Sequence, residues 1–382
     1  MEIKTCPHAK RCGGCSYSGV PYAEQLSRKQ EAMQHLFPTV TDIKPILGME
    51  NPYHYRCKVQ AAFGLQKGKV VSGTYEAGTH HLVPVETCLL EDEQADKIMA
   101  TIRNLMTSFR LQPYDEDRRH GVIRHVLIRK GYATGQIMVV LVTGSFQFPG
   151  KQNFVKALCK AHPEITTVIH NVNGARTSMV LGTQNKPVVG PGTIIDKLGG
   201  CTFRISPSSF YQVNPPQTEK LYSAALAMAE LTGRETVLDA YCGTGTIGIL
   251  AASKAKNVIG VELNRSAVQD AISNAKLNNV RNIRFYCDDA GQFLQRAASQ
   301  ETVPEVLLMD PPRGGSDEAF LSAAAYARPR TIVYISCNPE TQARDIAYLS
   351  ARGYQVDAIQ PVDLFPMTED IESIAKLSYG GK

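Results

Sequence analysis

A chain of 382 residues, 43% hydrophobic and 20% charged, is long enough to bury more than one core and has the composition of a folded globular protein. The start, "MEIKTCPHAKRC", has no apolar signal segment, and the longest apolar run, Ile137–Thr143, is too short to cross a bilayer. A secreted or membrane protein is therefore not expected, and a cytoplasmic one is; the formal charge of +5 is compatible with a nucleic-acid partner without requiring one.

Ten cysteines in a reducing compartment point to metal binding or catalysis rather than to a disulfide framework. Three of them open the chain with the spacing Cys-x5-Cys-x2-Cys, at Cys6, Cys12 and Cys15. Three thiolates from one loop and a fourth from a distant cysteine, Cys57 or Cys88, suit a [4Fe–4S] cluster better than a structural zinc site, which more often shows two Cys-x-x-Cys pairs. A polar helix follows over Tyr22–Phe37 and stops at Pro38. From 51 to 206 short β-type runs alternate with glycine turns: "VQAAFGL", "KVVSGTY", a hairpin turning near Gly131–Gly135, and "TSMVLGT". One helix, Lys151–Glu164, interrupts them. Arg118, Arg119, Arg124, Arg129 and Lys130 crowd the hairpin, where basic side chains on one sheet face would bind RNA phosphates, and His125 lies among them.

From 207 to 382 the texture changes to helices alternating with apolar runs that end in polar residues: "TVLDAY", "NVIGVEL", "IRFYCDD", "VLLMDPP" and "TIVYISC". That alternation predicts a parallel, doubly wound sheet with ligands at the carboxyl ends of its strands. Gly243, Gly245 and Gly248 have G-x-G-x-x-G spacing between the first strand and its helix, where the backbone can approach a ligand closely. Glu262 ends the next strand, at the spacing of a carboxylate that holds a ribose diol. A nicotinamide enzyme would share these features. Three others favour S-adenosylmethionine: Asp239, read as lying just before the glycines and facing the amino acid end of the cofactor; Asp288–Asp289, where an adenine could be read; and "DPPR", Asp310–Arg313, a loop suited to presenting a planar base.

Cys337 ends the strand "TIVYIS" beside that loop. Methylation of uracil at carbon 5 needs such a residue, because a thiolate adding at carbon 6 makes carbon 5 nucleophilic, and a base must later remove the carbon 5 proton. "DLFPMTEDIES" offers Glu369, Asp370 and Glu372 as that base, and spacing does not choose among them. Phe210 and Tyr211 could stack on an extruded base.

The motifs "FYQVN" (Phe210–Asn214), "LDAYCGTGTIG" (Leu238–Gly248), "DPPRGG" (Asp310–Gly315), "SCNP" (Ser336–Pro339) and "PMTEDIE" (Pro366–Glu372) together resemble the bacterial 5-methyluridine RNA methyltransferases, over nearly the whole chain. The resemblance implies an α/β protein with a C-terminal Rossmann-like class I methyltransferase domain (207–382), an N-terminal iron–sulfur loop and helix (1–50), and a β-rich central RNA-binding domain (51–206). It implies Cys337 as nucleophile and Glu372 as base, and contacts from Gln212, Tyr241, Glu262 and Asp310 to cofactor or uracil. It selects Cys88 as the fourth cluster ligand, since the family usually has asparagine at the place of Cys57. One departure is Asp370, where the family usually has histidine. The cysteine loop and a start close to it, without the extra RNA-binding barrel of longer members, resemble the short branch acting on 23S ribosomal RNA. The expected protein is a monomer that binds RNA, S-adenosylmethionine and a [4Fe–4S] cluster; a tRNA T-loop uridine is the alternative target.

Overall fold

The computed structural model describes residues 3–76, 78–300 and 303–380. In chain order these form α1 (Ala9–Cys12), α2 (Tyr22–Leu36), β1 (Lys58–Gln66), β2 (Lys69–Tyr75), β3 (Leu82–Pro84), α3 (Glu93–Ser108), β4 (Ile123–Lys130) and β5 (Ile137–Thr143). Next come α4 (Lys151–Ala161), β6 (Ile165–Val172), β7 (Gln184–Val189), β8 (Ile194–Leu198), β9 (Cys201–Ile205), α5 (Pro215–Met228), β10 (Thr236–Ala240), α6 (Thr246–Ala251) and β11 (Asn257–Glu262). The remainder is α7 (Arg265–Leu277), β12 (Ile283–Cys287), α8 (Ala290–Ser299), β13 (Val306–Met309), α9 (Glu318–Ala327), β14 (Thr331–Ser336), α10 (Pro339–Ser350), β15 (Tyr354–Val362) and β16 (Glu372–Tyr379). No helix is long and apolar enough to cross a membrane among the described residues.

Contacts divide the chain into two compact units. Unit 1 comprises Met1–Val20, Asn51–Lys197 and Arg204–Ser208; unit 2 comprises Pro21–Glu50, Leu198–Phe203 and Ser209–Lys382.

Unit 1 is built on a sheet of order β3-β2-β1-β4-β5-β6-β7. Its one parallel pair is β5 and β6, joined through α4; the other pairs are antiparallel. β5, "IMVVLVT", is buried at all seven positions, as a central strand covered on both faces must be. Ile98, Ile102 and Met106 of α3 and Phe154 and Leu158 of α4 pack with Val126, Val139 and Leu141 of the strands. The edge strand β7 carries Pro187, which has no N–H to offer a further strand. The expected strand "TSMVLGT" is instead a loop, because Asn171 and Asn173 bind its backbone with their side chains.

Unit 2 has the sheet order β12-β11-β10-β13-β14-β16-β15. The five strands from β12 to β14 are parallel, with crossover helices between them, and the continuous apolar runs "VLLM" and "TIVYIS" are buried throughout. Asn264, Asp289, Asp317 and Asn338 cap α7, α8, α9 and α10 with their side chains, each satisfying a first-turn N–H. The sheet is not wholly parallel as expected: β16 enters antiparallel between β14 and β15. That insertion brings the far C-terminal segment to the ligand end of the sheet. Met33 and Phe37, at the end of α2, lie in the core of this unit together with Leu307 and Tyr334.

Candidate active site

The glycine turn follows β10 directly. Gly245 has φ +79°, and a Cβ there would stand 2.8 Å from Cζ of Phe285, so both backbone and packing exclude a side chain. At Gly248 a Cβ would come within 2.7 Å of Oδ2 of Asp239. Glu262, at the end of β11, accepts hydrogen bonds from the N–H groups of Gly243 (3.1 Å) and Asn264 (2.7 Å), which ties the second strand end to the turn. Asp239 differs from the sequence expectation. It lies within β10, not in the loop, is buried, and accepts the Gly248 N–H at 2.9 Å. Burial pushes its carboxyl up to about 8, opposed by that hydrogen bond and reinforced by Asp310 and Glu262. Asp289 likewise has a local duty, capping α8 through Gln292 N–H at 2.9 Å.

A cleft over this turn is lined by Gln212, Asp239, Tyr241, Gly243 and Asp310, five of the residues singled out from sequence. Its walls also include Leu198, Thr218, Tyr222 and Thr244, for which the sequence held no signal. Tyr222 is buried, its phenol bonded to Gln212 and facing Asp310, Glu372 and Asp239; burial first, then those carboxylates, holds it well above the ordinary tyrosine range. Phe210 is 67% exposed at the rim, whereas Tyr211 is buried beside Phe203 and forms part of the cleft wall.

The second half of the site comes from strand register. The β14–β16 ladder closes on Ser336 opposite Ser373; Cys337 follows β14 directly, Glu372 opens β16, and the charge of Glu372 acts on the Cys337 thiol. Cys337 is half-buried, and burial pushes its thiol up to about 11; Glu372 and Asp310 add to this and Arg313 opposes it. Glu372 is 1% exposed, and its Oε2 has no hydrogen-bond partner among the described residues. Burial holds its carboxyl well above the usual carboxylate range, and the charges of Asp310 and Asp370 raise it further. Asp310, at the end of β13, is pushed up to about 7 by burial. Three titratable groups from three strand ends thus share one neighbourhood: burial favours the neutral form of each, and the carboxylates reinforce it for Glu372 and Cys337.

The "DPPR" loop and the "SCNP" turn are bonded to one another. Asn338 Nδ2 and Thr341 Oγ1 donate to the Arg313 carbonyl at 3.2 and 3.3 Å. Arg313 extends to Asp370, Nη2 to Oδ1 2.8 Å. The residue that departs from the family pattern is therefore an ion-pair partner of the "DPPR" arginine.

In unit 1 the basic hairpin is not the free RNA-facing patch expected. Arg124 is 3% exposed and bonds to Glu116 and to the carbonyls of Asn173, Ala175 and Thr177; Arg129 is also buried, and Lys130 pairs with Asp92. Arg118 remains exposed. His125 is half-buried with its ring edge-on to Tyr75, and its imidazole is pushed down to about 4 by desolvation and Arg124, which suits a neutral structural imidazole.

All of Cys6, Cys12, Cys15 and Cys88 lie in unit 1 as free thiols. Cys15 interacts electrostatically with Cys6, Cys12 and Cys88, and burial raises Cys15 to about 11 and Cys88 to about 12. The expected ligand set is not closed on a point, however: among the described residues no three His, Cys, Asp or Glu side chains converge as a metal-ion site.

Comparison with known proteins agrees with this geometry. The sequence model of the tRNA (Uracil-5-)-methyltransferase family matches residues 194–378. An uncharacterized RNA methyltransferase of Halalkalibacterium halodurans is 40% identical over 97% of this chain and 82% of its own length. Another from Clostridium tetani is 40% identical over 98% and 83%. Among solved structures, the tRNA (uracil-54, C5)-methyltransferase of Pyrococcus abyssi, in complex with S-adenosyl-L-homocysteine, has the same fold at a TM-score of 0.80, covering 95% of this chain and 85% of that one at 24% identity. These matches leave no place for the nicotinamide reading. With a Rossmann-like methyltransferase fold in unit 2 and RNA methyltransferases as relatives over almost its full length, the chain belongs to the uracil-5 RNA methyltransferase family.

Proposed function

We propose that the protein methylates carbon 5 of a uridine in 23S ribosomal RNA, with Cys337 as nucleophile and Glu372 as the base. The observation that supports this reading is that Cys337 and Glu372 flank the last pair of the β14–β16 ladder, Ser336 and Ser373, and that the charges of Glu372 and Asp310 both act on the Cys337 thiol. Gln212, Tyr241, Gly243, Gly245, Glu262 and Asp289 are the remaining cofactor contacts in this reading. Asp239 acts through the turn, by holding the Gly248 N–H.

S-adenosylmethionine, when bound, supplies the methyl group on a sulfonium sulfur. Cys337 loses its proton to solvent and its sulfur adds to carbon 6 of the uracil, the carbon 5–carbon 6 pair moving onto the carbonyl oxygen at carbon 4. Carbon 5 then bonds to the methyl carbon as the methyl–sulfur bond breaks. Glu372, as carboxylate, takes the carbon 5 proton; the released pair re-forms the double bond and the Cys337–carbon 6 bond breaks, returning the thiolate. A carboxyl that burial holds well above the usual carboxylate range is a stronger base once ionised, and that is what removal of a carbon-bound proton asks for.

The ribosomal target rests on the cysteine loop. Cys6, Cys12, Cys15 and Cys88 would hold a [4Fe–4S] cluster that cross-links residues 6–15 to the strand-rich part of unit 1; Cys15 is within electrostatic range of the other three. Iron and sulfide analysis of anaerobically purified protein tests this; Cys88→Ser should lose both. A tRNA target is the second reading, favoured by the description of the matching family. Cytoplasmic location and a monomeric state belong to the same proposal.

The test uses unmodified 23S ribosomal RNA and tRNA, each tritiated at uridine carbon 5. Cofactor-dependent tritium release from the ribosomal RNA, abolished in Cys337→Ala, is expected. Release from tRNA alone selects the second reading. Release from neither, with cofactor bound, overturns the uridine assignment.

A further inference from the structure

Lys29 of α2 is 1% exposed, and Asp363, its partner, is fully buried. A buried ion pair contributes little net stability, because desolvation offsets the attraction, so its place in the structure calls for another account. All three protons of the ammonium are used. They go to Asp363 Oδ1 at 2.7 Å, to the Phe365 carbonyl at 3.2 Å and to the Asp370 carbonyl at 2.8 Å. The three acceptors span the connection from β15 to β16, and the last stands two residues before Glu372.

The same face of α2 grips that connection twice more. Gln25 Oε1 accepts the Met367 N–H at 3.0 Å, where Met367 is held at φ +68°, and Tyr22 donates to the second oxygen of Asp363 at 2.7 Å. Tyr22, Gln25 and Lys29 follow helical spacing, so one stripe of polar side chains, turned inward, replaces the ladder that a strand would have supplied. Inward polar residues on a helix cost free energy unless satisfied, and here each is satisfied by the one loop that sets the start of β16.

We infer that Lys29 is a positioning residue for Glu372: through Asp363 and the Asp370 carbonyl it fixes the approach of the carboxyl to the carbon 5 proton. The inference rests on the reading that Glu372 removes that proton. Lys29 touches neither substrate nor cofactor, so its loss should spare adduct formation and slow only adduct breakdown.

The experiment compares Lys29→Met and the charge-free Lys29→Met/Asp363→Leu with wild type, using 23S ribosomal RNA tritiated at uridine carbon 5 and, for the adduct, labelled with phosphorus-32. Tritium release from carbon 5, the fraction of protein–RNA adduct stable to denaturing gels, and thermal unfolding are read together. In folded Lys29→Met, kcat should fall about 100-fold, as for a base displaced by a fraction of an ångström to an ångström, with KM for S-adenosylmethionine unchanged and more adduct than in wild type. The double variant, its buried charges removed as a pair, should keep the fold yet show the same trapped adduct. Wild-type turnover and adduct level in the folded double variant would overturn the inference. So would equal loss of adduct and turnover in Lys29→Met, which means a general collapse of the site. If both variants unfold, Gln25→Leu decides: it frees the Met367 N–H and should raise the adduct fraction by a smaller factor, and an unchanged fraction overturns the inference. A wild-type chain releasing no tritium fails the parent reading and takes this one with it, whereas normal release with unchanged adduct in the variants fails this one alone.

Discussion

In unit 1 the buried guanidinium of Arg124 has an acceptor for every nitrogen, whereas in unit 2 the buried carboxyl of Glu372 has one oxygen with no partner among the described residues. Both groups are charged residue types deep in a sheet. The first holds together Glu116 and three carbonyls of the loop after β6, and every nitrogen it carries is spent on them. The second faces Asp310, Asp370 and the Cys337 thiol, and its surroundings favour the neutral form. A satisfied buried charge organises structure; an unsatisfied one at a strand end is available for proton transfer. Charge in the sequence does not distinguish the two, since the hairpin arginines and the C-terminal acidic cluster were both read there as functional groups.

The contrast predicts opposite failures. Glu372→Gln should lower methyl turnover by roughly 1000-fold while leaving the fold intact, because it removes a base and a buried charge together. Accumulation of the Cys337–RNA adduct would confirm it, and turnover near wild type would break the comparison. The same variant removes a group that raises the Cys337 thiol, so alkylation of Cys337 by iodoacetamide at pH 8 should quicken. In wild type, with the thiol near 11, alkylation should keep rising through pH 10 as thiolate forms.

Arg124→Met should do the reverse: about 3–5 kcal/mol less stability, read from urea unfolding, because the half-buried Glu116 loses its partner and three carbonyls lose their donor. Methyl transfer by the folded fraction should change far less than in Glu372→Gln. A variant as stable as wild type would show that Arg124 is not the structural member of the pair. Gly245→Ala should cost about 1–3 kcal/mol, from the positive φ and the contact with Phe285, again by urea unfolding. The smallest effect is expected from Asp370→His. It removes one of the charges that raise Glu372, so the carboxyl ionises at lower pH. The acid limb of the pH–rate profile should move down in pH; a limb that stays in place would mean that Asp370 is fully neutralised by Arg313.

The local parts of the molecule were legible in sequence. Strand–turn–helix around Gly243–Gly248, the position of Glu262, the capped helices after "DPPR" and "SCNP", and the hairpin at Gly131–Gly135 all depend on residues within a few positions of each other, so propensity, capping and periodicity suffice. Tyr222 was not legible, because a tyrosine in an ordinary helix pattern acquires its role only from the carboxylates that other elements bring to it. The same holds for Lys29, whose acceptors lie more than three hundred residues away. Segment 21–50 reads as one stretch with the cysteine loop, yet its contacts are made with unit 2.

By itself, then, the sequence determined the class of fold, the glycine turn and the identity of the residues able to do the chemistry, because those follow from local stereochemistry and from the chemical nature of thiol and carboxyl. Spacing left the acidic residues at 369, 370 and 372 open and the family resemblance pointed to Glu372, but only the tertiary structure brought that carboxyl into the neighbourhood of Cys337. That placement depends on the antiparallel entry of β16 and its register, and a strand alternates its faces every residue, so a shift by one position would have turned Glu372 to the opposite face.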